Sequence, residues 1–219
     1  MPQADFGSTL LFFVALVFSI VFHEVSHGWV ADRLGDHTAR MMGRLTLNPI
    51  PHIDPVGTIL LPGLLLLTGS SFLFGYAKPV PINWRNLRNP ARDMVWVAVA
   101  GPVTNLLLAV ASAAVLGILA RTVHMGDEQG FMVAGPLAGM AYRSVLINVV
   151  LAVFNLLPIP PLDGGRVAVG LLPSELARPL AQIEPFGFVI VMALVMTGAL
   201  GTVIGPVVTA ILSLLRVLT

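Results

Sequence analysis

The run LLFFVALVFSIVF, residues 10–22, holds one polar residue, Ser19, and passes without a break into HEVSHGW, residues 23–29. No other feature constrains the fold as tightly as this junction. Extended to residues 8–31, the stretch is long enough to cross a bilayer as one helix, which takes about 20 mostly apolar residues. Two histidines and a glutamate at membrane depth are costly, and their presence there is a sign of function. The preceding residues, MPQADFGS, contain no Lys or Arg. They lack the basic start of a secretory signal, so the first apolar run is expected to be retained as a span.

The rest of the chain agrees with a membrane setting. Only 11% of its 219 residues are charged, 56% are apolar, and the mean hydropathy is +0.89. A soluble domain carries roughly 25% charged residues. A net charge of +1 gives no basic surface for nucleic acid, and the absence of cysteine excludes disulfides and thiolate metal ligands. Further spans are expected at 94–120, which contains GPVTN, and at 138–157, which ends in FNLLP. Residues 185–217 are apolar but broken by Gly198, Gly201, Gly205 and Pro206. They read as two short spans, 185–200 and 202–217, turning near Gly201, or as one long broken helix. The expected fold class is an all-α polytopic membrane protein. A three-helix catalytic core carries the extra C-terminal spans in a single domain, 1–219, with no room for an appended soluble one.

Residues 42–80 are the exception to that helical pattern. VGTILLPGLLLLTGSSFLF, 56–74, is apolar enough to span, but Arg33, Arg40 and Arg44 precede it and Lys78, Arg85, Arg88 and Arg92 follow it. A crossing would put basic clusters on both faces, against the positive-inside bias. A re-entrant or interfacial excursion is expected instead. MGRLTL, 42–47, and VGTILL, 56–61, read as short strands of a small membrane-associated β-hairpin around the loop NPIPHIDP. Nine of the twelve Lys and Arg (33, 40, 44, 78, 85, 88, 92, 166 and 178) then share the cytoplasmic face. Trp29, Trp84 and Trp96 suit interface positions.

His-Glu-x-x-His on a helix puts His23 and His27 on one face, four residues apart. Their imidazoles can bind one zinc ion, with Glu24 beside it as general base toward a metal-bound water. A catalytic zinc has three protein ligands and one open position. Among the eleven acids, Asp5, Asp127 and Glu128 fall on the far face. Asp32, Asp36, Asp93, Glu175 and Glu184 read as surface residues. Asp163, in NLLPIPPLDGGR, follows the third span on the same face as His27; the prolines stop the helix and Gly164 and Gly165 allow a sharp return. Asp163 is the first choice of third ligand and Asp54 the second. His37, His52 and His124 read as loop or surface histidines.

HEVSH, GPVTN and NLLPIPPLDGG together resemble the site-2 protease family of intramembrane zinc metalloproteases. GRLTLNPIPHIDPVGTILLP and GYAKPVPIN resemble its compact members, which lack PDZ and CBS domains. The resemblance covers about residues 9–180. It implies one zinc per chain on His23, His27 and Asp163, and water activation by Glu24. Asn155 would hold the substrate strand or the oxyanion, and Asn105 would line the substrate site. It also implies single-span membrane-protein substrates, cut near the cytoplasmic side of a prokaryotic plasma membrane. Asn83-Trp84 departs from the Asn-Pro expected there. The competing function is a non-catalytic membrane zinc-binding protein or a zinc carrier. The sequence leaves the oligomeric state open.

Overall fold

The computed structural model describes residues 6–68, 75–122 and 128–218. Four of its helices are long and apolar enough to cross a membrane, at Thr9–Arg33, Pro90–Arg121, Ala134–Asn155 and Ala199–Leu218. The first, α1 (Phe6–Arg33), stops at Gly35, whose φ of 113° only glycine adopts readily. A single turn, α2 (Thr38–Met41), follows.

No strand forms among the described residues, so the expected β-hairpin is absent. Residues 43–49 are irregular, and Pro55–Leu60 winds as a π-helical turn into α3 (Leu61–Leu67). The reason is local. Asp54 Oδ1 accepts from the Val56 and Gly57 amides at 2.9 and 2.8 Å, and Pro55 sits at the first helical position. Cap and proline start a helix that the strand propensity of Val56, Thr58 and Ile59 cannot overturn. The Tyr76 amide then donates to the Gly57 carbonyl at 3.0 Å. The chain thus comes back beside Gly57 at Tyr76. Residues 69–74 lie outside the described residues.

The long helix α4 (Pro90–Thr122) begins with proline at its first position and with Asp93 Oδ2 accepting from the Asn89 amide at 2.8 Å. It packs against α1 and against α5 (Glu128–Asn155). Ala109 and Ala113 are fully buried against Val145, Val149 and Val153, small side chains that let membrane helices approach closely. Then come α6 (Asp163–Leu171), α7 (Ser174–Gln182), α8 (Glu184–Met196) and α9 (Ala199–Leu215). The last turn falls at Gly198, φ 74°, three residues before the expected one. α8 has 13 residues, too short to cross alone, and it is bent by 68° from α7.

Candidate metal centre and its supports

His23 and His27 project from α1 toward α4, one turn apart, with ring centroids 4.6 Å apart and planes at 88°. Their Nε2 atoms are 3.0 Å apart. Asp163 Oδ2 is 3.2 Å from the first and 3.3 Å from the second. All three residues are buried, at 7%, 6% and 7% exposure. The protons decide what this means. His27 Nδ1 faces the Val97 carbonyl at 2.6 Å, which can only accept, so Nδ1 carries the hydrogen and Nε2 a lone pair. His23 Nδ1 faces Asn105 Oδ1 at 2.6 Å with the same consequence.

Two lone pairs and a carboxylate oxygen thus converge on one point, and Asp163 Oδ2 has no hydrogen-bond partner. Such a set repels itself unless a cation sits between its members. Zinc fits. Bonds of about 2.0–2.1 Å in a tetrahedron place ligand atoms about 3.3 Å apart, against the 3.0–3.3 Å found.

Glycines make the convergence possible. A methyl group at Gly101 would fall on His27 Nε2 and His23 Cε1. Only a bare backbone lets α4 close over both rings. Asp163 opens α6 after a tight loop in which Gly164 lies against Leu156 and Gly165 against Pro160; the Pro160–Pro161 peptide is cis. Gly187 of α8 rests directly on the Pro160 carbonyl.

Glu24 reaches the extended segment 75–83. Its Oε2 accepts from the Val80 amide at 2.8 Å. Val80 stands between Pro79 and Pro81, so its amide is the one donor in that triplet. The Val80 side chain sits in a notch at Gly28, one helical turn beyond Glu24. Buried Arg44 donates to the Lys78 and Pro79 carbonyls at 2.8 and 3.2 Å. Buried Asp36 accepts from the Asn83 amide at 2.6 Å and from Asn86 Nδ2 at 3.0 Å. The segment is a strap pinned at both ends across Glu24.

Other expected positions fall differently. Asn105 is fully buried behind His23 rather than on an open substrate face. Asn155 is half-buried at the end of α5 and turns its Nδ2 to the Leu151 carbonyl at 2.9 Å, not to the ligand cluster. Asp54 caps its own turn. His52 is buried, with Nε2 donating to the Thr46 carbonyl at 3.0 Å, while His37 lies outside beside Asp32. His124 lies outside the described residues. Asp32, Asp36 and Asp93, expected on the surface, are buried because each is paired: Asp32 with Arg40 and His37, Asp36 with backbone and amide donors, Asp93 with the Asn89 amide. Val80, Arg44, Asn148 and Gly101 had no sequence signal beyond the odd polar or small residue in its run.

The sequence matches Peptidase family M50 over residues 11–132 and 119–198. The chain belongs to that family. This M50 peptidase is 40% identical over 197 residues to YwhC of Bacillus subtilis, covering 90% of the chain and 85% of the relative. It is 35% identical to Rip2 of Mycolicibacterium smegmatis over 91% of the chain and 71% of the relative. Rip2 of Mycobacterium tuberculosis is 33% identical over 88% and 69%. All three are named as zinc metalloproteases. No solved structure matches. The M50 peptidase is accordingly a multi-pass membrane zinc metalloprotease of the site-2 type.

Proposed function

We propose that this peptidase hydrolyses peptide bonds in or near the transmembrane segments of single-span membrane proteins, with Glu24 as its general base. The observation that carries the reading is the meeting of His23, His27 and Asp163 inside an apolar bundle, with Glu24 next in sequence and held on the neighbouring face. His23, His27 and Asp163 hold the metal. Zinc bound there supplies a Lewis acid for the scissile carbonyl and lowers the pKa of water to about 7. Glu24 keeps Oε2 on the Val80 amide and uses Oε1 to take the proton, which it passes to the leaving amine. Asn155 turns its carboxamide from Leu151 to the developing oxyanion, an interaction whose loss typically costs about 10²–10³ in rate.

The nine basic residues on one side support a cell-membrane location with the site near the cytoplasmic face. A zinc carrier would use a path of ionisable groups through the spans. Deeper in the bundle, Asn105, Asn148, Ser144 and Ser112 are neutral, and Arg143 toward the far face stands apart from the cluster rather than extending a path from it. The test is purified protein in detergent with a generic single-span substrate, wild type against Glu24→Gln. One zinc per chain in both, with cleavage in wild type alone, is expected; equal cleavage by the two would remove Glu24 from the role.

A further inference from the structure

The two histidines are oriented by different means. His27 leans on a backbone carbonyl, that of Val97. His23 leans on a side chain, Asn105, whose amide could face either way in isolation. With its nitrogen toward His23, Asn105 would be a donor. His23 Nδ1 would then have to accept, and its hydrogen would move to Nε2, where the ligand lone pair is needed. Something must hold Asn105 the right way round.

We propose that Asn148 does so, as a positioning residue for the metal centre acting through Asn105. The chain of bonds fixes every direction from obligate acceptors. Asn148 Nδ2 lies 2.8 Å from the Ser144 carbonyl on its own helix, which can only accept, so that end of the amide is the nitrogen. It also donates to Ser19 Oγ at 2.9 Å. Ser19 in turn spends its hydrogen on the Ala15 carbonyl at 2.7 Å. The Asn148 oxygen therefore points to Asn105, whose facing atom must donate: Nδ2, at 2.8 Å. That same Nδ2 faces the Ser19 carbonyl at 3.3 Å. Asn105 Oδ1 is left for His23 Nδ1–H, and His23 Nε2 keeps its lone pair for the metal. Both asparagines are completely buried.

The relay crosses three helices: α1 supplies Ser19 and His23, α4 Asn105, and α5 Asn148 and Ser144. It converts the packing of α5 into the hydrogen position on a ligand of α1. An asparagine kept only as helix–helix glue would contribute to stability and leave the metal alone.

The test is zinc affinity, measured by chelator competition on the full chain in detergent, for Asn148→Leu, Asn105→Ala and the double variant. Partners behind a metal ligand typically contribute 10–100-fold in affinity. Asn105→Ala should lose affinity in that range and Asn148→Leu about tenfold. The double variant should lose no more than Asn105→Ala, since the second residue acts through the first. Unchanged zinc affinity in Asn148→Leu with a lower melting temperature would overturn the proposal, and so would additive losses. Should Asn148→Leu fail to fold, Asn148→Ser with ring-nitrogen NMR of metal-free protein decides the same point. A mixture of His23 tautomers is expected where the wild type shows one, and a single unchanged tautomer would refute the relay.

Discussion

The two faces of α1 are supported by opposite kinds of structure. The face of His23 and His27 is held by regular helix: a carbonyl and a carboxamide of α4, the bare backbone of Gly101, and α5 behind them. The face of Glu24 is held by irregular chain, an extended strap whose Val80 amide is its contact with the carboxylate. Metal ligands need fixed mutual distances, which packed helices supply. Glu24, the proposed base, is held instead by a segment that owes its shape to prolines and to the side chains Arg44 and Asp36. The difference teaches that the His23–His27 pair and Glu24, adjacent in sequence, rest on separate supports, so the metal binding and base chemistry proposed for them should be separable.

Gly101→Ala should break the helical side with the largest effect. The added methyl overlaps both rings, and overpacking of about 1–3 kcal/mol should cost on the order of 100-fold in zinc affinity, read by chelator competition. Cleavage should fall with it and recover partly at saturating zinc. Arg44→Met tests the other side. Its guanidinium makes two hydrogen bonds to strap carbonyls, and charged hydrogen bonds are worth about 1.5–3 kcal/mol. We expect kcat to fall by about tenfold while zinc affinity stays within about twofold. Loss of zinc in Arg44→Met would collapse the distinction between the two faces.

The smallest effect is expected at the far anchor of the strap. Burial pushes the Asp36 carboxyl up, but hydrogen bonds from Thr38, Asn83 and Asn86 outweigh it and hold the group below the ordinary carboxylate range. A depressed folded-state pKa stabilises above the unfolded value and is lost as pH falls through the folded one. Asp36→Asn should therefore melt lower at pH 7, by about 1–2 kcal/mol for the weakened bonds. The gap to wild type should close as the pH drops below about 4. A gap that widens in acid would mean that Asp36 is protonated in the fold.

Much of the helical side was legible in the sequence. His23 and His27 follow from a four-residue period, and Asp163 from scarcity of acids and a proline–glycine stop. The spans follow from length and hydropathy. The strap side was not legible, because its structure comes from absences. Val80 matters for the amide that its neighbours Pro79 and Pro81 lack, and no propensity scale records that. VGTILL read as a strand by composition, but one capping carboxylate at Asp54 and one proline redirected it into helix. Asn148 sits in an apolar run where a single amide is compatible with glue or relay, and only its partners distinguish them. Asp32, Asp36 and Asp93 looked like surface charges because their partners are distant in sequence or contributed by backbone.

Gly187 touches the Pro160 carbonyl with no side chain between them, and Pro160 lies three residues before Asp163. The modularity of this peptidase is therefore less than its ligand map suggests. A chain shortened after α7 would retain His23, His27, Asp163, Glu24 and the strap. It would have lost the platform on which the Asp163 loop is seated, so the smallest unit able to form the His23–His27–Asp163 cluster extends past the last residue of that cluster.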